Sequence, residues 1–319
     1  MAKELKTYLT LLMALALLSC NKEDGREDRR IAFDARLGDV AQIDVQTKAP
    51  TPVTSLTSFY VSTTAGPLDD QYPVWNSTIF NWSDTEGAFV ASHQWPSPDQ
   101  SYHFYASNNQ IYNEPDKTYV NVENTKDVVC AFMPSPNYLK KNTLVFHHVL
   151  ARLGRITVKP GTVFGDDPPV YYTVTDVTIK LIPWEKGKYD LEKGYNLSLN
   201  TPYVDGTGWL AREKADSPVT VAQTAGPLSS TAPYYYQDND IWLIPETYAI
   251  LLSWTVQHET WIRSYDEIPA AVPLHSGVVN DITFILGGDK SLMFELHTTP
   301  QDVVTRDYTT NDDYNNQWD

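Results

Sequence analysis

The sequence predicts an all-β protein built as two β-sandwiches in tandem. Three observations carry this reading. Apolar residues alternate with polar ones over short runs, as half-buried strands require. Turn-forming Pro, Gly, Asn and Asp recur roughly every ten to fifteen residues, close to the spacing of a sandwich. Helical periodicity is hard to find beyond residue 30, whereas strand-favouring Val, Thr, Tyr and Trp are frequent. The chain has 319 residues, 42% hydrophobic and 12% aromatic, enough for a sizeable core. One sandwich rarely needs so long a chain, so two is the natural division.

The first element, residues 1–19, reads as a leader. Lys3 and Lys6 precede the apolar run Leu9–Leu18, which only Thr10 interrupts. That run falls short of the roughly 20 apolar residues needed to span a bilayer, and it has the form of a secretory signal peptide. Leu17-Leu18-Ser19-Cys20 resembles a bacterial lipobox, whose cysteine is acylated and becomes the new N-terminus. The thiolate is the nucleophile that accepts the lipid, and several acyl chains on one residue give a stable anchor. Lys22, Glu23 and Asp24 follow, resembling the signal that sends lipoproteins to the outer face of the outer membrane in Bacteroidota. Residues 20–30 are then a charged, solvated tether.

Residues 31–157 form the first predicted sandwich. RIAFDARL (30–37) is its first strand, with Ile31 and Phe33 on one face. TSFYVST (57–63) is the second, after a loop over 38–54 rich in Pro, Thr and Asp. The stretch KPGTVFGDDPP (159–169) marks the boundary region, and residues 158–297 form the second sandwich. There, DVTIKLIPW sets Val177, Ile179 and Leu181 on one face, and AILLSWTVQ does the same with Ile250, Leu252, Trp254 and Val256. Ile282, Phe284 and Leu286 share a face, Gly287-Gly288-Asp289 turns, and Leu292, Phe294 and Leu296 return, which predicts a hairpin. Asn196–Asp240 shows few clean strands. Residues 298–319 are an acidic tail, its last twenty residues carrying five Asp against one Arg, and the reading is of an exposed or poorly ordered end.

Chemistry is sparse. The net charge of −16 excludes nucleic acid and anionic membrane surfaces as partners. Cys130 stands alone in VVCAFM and reads as a small buried hydrophobe. No HExxH, GxSxG, P-loop or GxGxxG is present, so no catalytic residue, metal ligand or cofactor is assigned and the expectation is a non-enzyme. His147 and His148 are neighbours on a strand and point to opposite faces, one expected buried and hydrogen-bonded, the other exposed. The Asp pairs at 69–70, 166–167 and 312–313 read as solvated loop acids. Trp75, Trp82 and Trp95, three of nine tryptophans, would suit carbohydrate stacking if exposed, but a β-core absorbs such residues more readily.

The stretch LVFHHVLARLGRITV (144–158) looks like the strand signature of the fimbrillin-like (Mfa-like) proteins, with Phe146, His148, Leu150, Ala151, Arg152 and Leu153 meeting its pattern. Other blocks follow in the family's order: TKAP (47–50), the Trp82, Trp95-Pro96 and Phe104-Tyr105-Ala106 block, IWLIPE (241–246), and SGVVNDITFIL. The resemblance runs from the lipobox to about residue 297. It implies two tandem transthyretin-like Greek-key sandwiches and a subunit of type V pili, made as an outer-membrane lipoprotein precursor. It also implies a protease that cuts after a basic residue beyond the first strand, at Arg36 or Lys48 here. Removal of the strand holding Ile31 and Phe33 opens a groove, and a donor strand from another pilus subunit fills it. Val303, Thr305 and Tyr308 offer thin apolar material for donation, which fits a tip or accessory subunit better than a shaft subunit. The alternative is a surface lipoprotein that does not polymerise and binds a host or bacterial surface glycan or protein.

Overall fold

A computed structural model of the chain describes residues 30–37, 51–52, 56–67, 71–95, 97, 100–115, 117–138, 140–161, 172–197, 201–203, 206–228 and 235–301. Cys20, Lys22, Glu23, Asp24, Lys48, TKAP, the Asp pairs and the tail from residue 302 lie outside the described residues. Every regular element described is a strand. The first ten are β1 (Arg30–Leu37), β2 (Thr51–Pro52), β3 (Ser58–Ala65), β4 (Tyr72–Ser83), β5 (Ala88–Gln94), β6 (Tyr102–Ser107), β7 (Ile111–Glu114), β8 (Lys117–Glu123), β9 (Val129–Met133) and β10 (Asn142–His148). After them come β11 (Ala151–Pro160), β12 (Thr173–Leu181), β13 (Trp184–Asp190), β14 (Tyr195–Asn196), β15 (Thr201–Pro202), β16 (Trp209–Lys214), β17 (Val219–Thr224), β18 (Tyr235–Leu243), β19 (Glu246–His258), β20 (Trp261–Leu274), β21 (Val278–Leu286) and β22 (Leu292–Pro300).

The N-terminal sheet runs β10-β9-β6-β3-β4-β5-β1-β2, and β1 pairs again with β10, closing the sheet into a barrel. Successive side chains of a closed sheet point in and out, yet β6 is buried along its whole length and β3 and β9 along most of theirs, so several barrel strands are covered on both faces. The interior is aromatic: Phe33, Phe59, Phe80, Phe89, Trp95, Phe104 and Phe146 form one buried cluster.

The C-terminal part is a sandwich. The sheet β18-β11-β21-β22 faces the sheet β17-β12-β19-β20, and the two share one core. Val177, Ile179, Leu181, Ile250, Leu252, Trp254 and Val256 are buried as their alternation predicts. The hairpin also forms, with Ile282 opposite Leu296, Phe284 opposite Phe294 and Leu286 opposite Leu292.

A third layer joins the two parts. The sheet β16-β13-β8-β7 takes β7 and β8 from the first part of the chain and β13 and β16 from the second. It belongs to a separate core where Tyr105, Cys130 and Phe132, from barrel strands, meet Leu150, Tyr189, Leu191 and Ile244.

The structure revises several expectations. The first part is a closed barrel, because β1 bonds on both edges. The run 144–158 is two strands, β10 in the barrel and β11 in the sandwich, which change sheets at Val149–Leu150. The division placed between 157 and 158 therefore falls inside β11. Residues 196–240 hold β16, β17 and the start of β18; these lie at sheet edges, where little alternation is required, so their pattern was weak. β22 runs past residue 297 to Pro300, and Gln301 is buried.

Candidate functional site

The first strand is the candidate site. RIAFDARL alternates, and the structure buries Ile31 and Phe33 completely inside the barrel while Arg30 and Arg36 face solvent. Phe33 is the centre of the interior: its ring lies 5.1 Å from those of Phe80 and Phe104, edge-on to both, and 6.4 Å from Phe59. Edge-on aromatic pairs contribute about 0.5–1.5 kcal/mol each beyond burial. Ala35 packs against the same cluster.

Both edges of β1 are bonded. One edge pairs antiparallel with β5, Ala32 opposite Val90 and Phe33 opposite Phe89, with a register shift between Arg30 and Ala32. Beyond β5 the same edge pairs with β2, Arg36 opposite Pro52. The other edge pairs in parallel with β10, from Phe33 opposite Asn142 to Leu37 opposite Phe146. Two half-exposed ion pairs fasten it, Arg30 to Glu86 at 2.6 Å and Asp34 to Lys141 at 3.0 Å. Exposed pairs of this kind contribute little, so apolar burial and the two ladders hold the strand. Loss of β1 leaves unpaired N–H and C=O groups on β5 and β10 and a hole where Ile31 and Phe33 sit. Unpaired strand edges recruit another strand.

The residues of the family-like block fall beside this site. Phe146 is fully buried in the barrel, 5.1 Å from Phe59. Leu150 lies in the central core and Ala151 in the sandwich core. His148 and His147 are both buried, contrary to the expectation that one is exposed. Tyr195 of the central core lies 6.3 Å from the His147 ring, so the outward face of β10 is covered there. His148 Nδ1 lies 2.8 and 2.9 Å from the two carboxylate oxygens of Asp127, and the Gln301 amide nitrogen lies 3.0 Å from the same ring nitrogen. Nδ1 donates to the Asp127 carboxylate, and Gln301, at the end of the sandwich, is buried against this pair. His147 has no hydrogen-bond partner on either ring nitrogen, and burial, with His148 beside it, pushes its pKa down to about 4.

Cys130 is buried with Sγ 3.5 Å from Ser107 Oγ, and burial pushes its thiol up to about 12. Among the clustered tryptophans, Trp95 is buried in the barrel, Trp75 packs against the same cluster and Trp82 is exposed, so they do not form an exposed aromatic row. Among the described residues no three His, Cys, Asp or Glu side chains converge to hold a metal ion, and no helix is long and apolar enough to cross a membrane.

Neither a family model nor a curated protein matches the sequence. Among solved structures, a candidate cell adhesion protein from Parabacteroides distasonis is similar at a TM-score of 0.47 and 9% identity, over 88% of this chain and 99% of that one. A candidate cell adhesion protein from Bacteroides uniformis is similar at a TM-score of 0.39 and 15% identity, over 88% and 99%. A fimbrial assembly protein from Parabacteroides distasonis is similar at a TM-score of 0.37 and 10% identity, over 85% and 98%.

Proposed function

We propose that this chain is a cell-surface adhesion subunit of the fimbrillin-like kind. It is exported as a lipoprotein acylated at Cys20 and held at the outer membrane. It joins a pilus when a cut after Arg36 or Lys48 frees β1 and a donor strand from a neighbouring subunit replaces it. In this reading the barrel and the sandwich are the chain's versions of two tandem transthyretin-like units, and the subunit serves at the tip or as an accessory, without catalytic activity.

The observation that supports the reading best is the double pairing of β1. A terminal strand that closes a barrel is the element whose removal opens the largest gap for the fewest residues. Lys48 lies within residues 38–50, which connect β1 to β2, so a cut after it separates the whole strand covalently while its pairing persists. Arg36, expected beyond the strand, is instead inside β1, opposite Val145 and Pro52, and a cut after it leaves Leu37 on the other fragment. A donor that repeats its alternation regains both ladders and refills the core.

The test is the N-terminal sequence and intact mass of the protein from native cell surfaces, with electrophoresis in SDS before and after heating. An N-terminus just after Arg36 or Lys48, with an SDS-resistant ladder that heating collapses, supports strand exchange. An acylated Cys20 on a monomer overturns it.

A further inference from the structure

A cavity of about 620 Å³ opens between the barrel wall and the central layer, and no residue of β1 lines it. Its walls come from β3 and β4, from the β7–β8 hairpin, and from the turn after β13. We infer that this cavity is a binding site for one neutral, hydroxyl-rich ring, the size of a sugar residue at the end of a glycan chain.

The inner wall is made of fixed acceptors. Asp190 is 1% exposed, and its Oδ1 accepts the backbone N–H groups of Glu192 and Lys193 at 3.0 and 2.9 Å. Its Oδ2 is buried without a hydrogen-bond partner, although the residue lines the cavity. A buried carboxylate oxygen left unpaired is costly, and a donor from a ligand removes that cost. Asn113 repeats the pattern: its Nδ2 donates to Asn76 Oδ1, and its own Oδ1 is buried and unpaired. Asp190 and Asn113 both line the cavity, and each carries one unpaired oxygen.

A hydrogen-bonded network stiffens the wall beside these residues. Tyr105 donates its hydroxyl toward both Gln71 Oε1 (2.8 Å) and Glu192 Oε2 (2.9 Å), and Gln71 Nε2 donates to the same Glu192 oxygen at 2.9 Å. Thr64 donates to Gln71 Oε1 from the barrel side. This network, anchored on a fully buried tyrosine, fixes the wall before any ligand arrives, which lowers the ordering cost of binding.

Charge selects the ligand class. Glu114, Asp190 and Glu192 oppose an anion, whereas Lys117 and Lys193 at the mouth oppose a cation. A neutral ligand rich in O–H donors meets neither penalty and brings donors to the wall that holds the two unpaired oxygens. Pro73 and Pro115 supply C–H surface for the apolar face of such a ring. The volume lies within the roughly 300–1,000 Å³ typical of small-molecule sites. This inference does not depend on the removal of β1.

The test is saturation-transfer NMR on the chain from residue 21 onward. The probes are the methyl glycosides of glucose, galactose, mannose, fucose and N-acetylglucosamine at millimolar concentration, with cadaverine and methyl glucuronide as charged comparators. The variants are Asp190→Asn, which removes the charged acceptor, and Asn76→Trp, which fills the mouth from an exposed position. The expected result is transfer to at least one neutral glycoside, weakened on the order of tenfold in both variants, with no transfer to either comparator. Far-ultraviolet circular dichroism of Asn76→Trp separates a blocked site from a misfolded chain. Absence of transfer to every neutral glycoside, transfer equal in wild type and a folded Asn76→Trp, or preference for a charged comparator overturns the inference.

Discussion

Phe33 of β1 meets Phe104 of β6 edge-on across the barrel interior, 5.1 Å between ring centroids and 84° between planes. The two strands are not neighbours in the sheet, so the contact spans the barrel. A residue from the first strand therefore sits where aromatic side chains from three other strands converge.

Phe33→Ala is expected to cost about 3–5 kcal/mol, the range for deleting a buried phenyl ring. Asp34→Ala, next along the strand, breaks only the half-exposed contact to Lys141 and is expected to cost less than about 1 kcal/mol. Urea unfolding of both variants measures the difference. Equal losses would show that β1 is held by its surface and not by its core face.

Cutting the connection between β1 and β2 should not release β1. A protease site engineered within residues 38–50, cleaved after folding, is expected to leave the fragment bearing Arg30–Leu37 bound through both ladders and its two buried side chains. Gel filtration with mass detection reads the association. The same nick in a Phe33→Asp chain is expected to free the fragment, because a carboxylate then replaces the ring in an apolar interior. Spontaneous loss from the unsubstituted chain would mean that the ladders alone are too weak to hold a strand awaiting exchange.

The strands β12, β19 and β21 of the sandwich were legible because each buries one face only. Ile250, Leu252, Trp254 and Val256 announce themselves by alternation. β1 was legible for the same reason, through Ile31 and Phe33. The closure of the barrel was not, since the parallel pairing of Phe33 with Asn142 joins residues far apart in the chain and leaves no local mark. The central layer was hidden for a related cause. It covers the outer face of barrel strands, so β9 reads VCAFM with both faces apolar and its neighbours His147 and His148 are both buried. The cavity beside Asp190 was missed because its residues come from four separate segments, and nothing in the sequence around Asp190 sets it apart from the other acids.

His147 should make the fold acid-sensitive. Its folded pKa is about 4, below the ordinary 6.5. As pH falls through 6.5 the unfolded chain takes up a proton that the folded chain refuses until about pH 4. The unfolded state binds more protons in that window, so stability falls with pH, by on the order of 3 kcal/mol over the whole window. His147→Phe keeps a ring beside Tyr195, 6.3 Å away in the native contact, and removes the proton site. Urea midpoints at pH 7, 6, 5 and 4.5 are expected to change less in this variant than in the parent. An unchanged slope would assign the acid sensitivity to another group.

Cys130 should be inert while the barrel is closed. Burial holds its thiol near 12, far above the pH of ordinary labelling. In a chain that begins after Cys20, a disulfide reagent at pH 8 is expected to find no reactive thiol in the native state and one in urea. Rapid native labelling would show that the central layer opens locally at β9.

Asp190→Asn separates the demands of folding from those of binding. Burial is the main cause that raises the Asp190 pKa above 3.8, against the hydrogen bonds from Lys193 and Glu192. An acid that binds its proton more tightly when folded contributes stability that is present below 3.8 and lost as pH rises through the folded pKa. At pH 7 the ionised carboxylate is therefore a net burden on the fold. An asparagine retains an oxygen to accept the two backbone N–H groups and carries no charge. The variant is expected to unfold at an equal or higher temperature than the parent at pH 7, with the advantage shrinking as pH falls toward 3.8. Lower stability at pH 7 would mean that the charge itself holds the turn over Asp190–Lys193, and that the unpaired oxygen serves the fold. Equal or higher stability together with weaker glycoside binding would mean that the chain tolerates a buried charge because a ligand uses it.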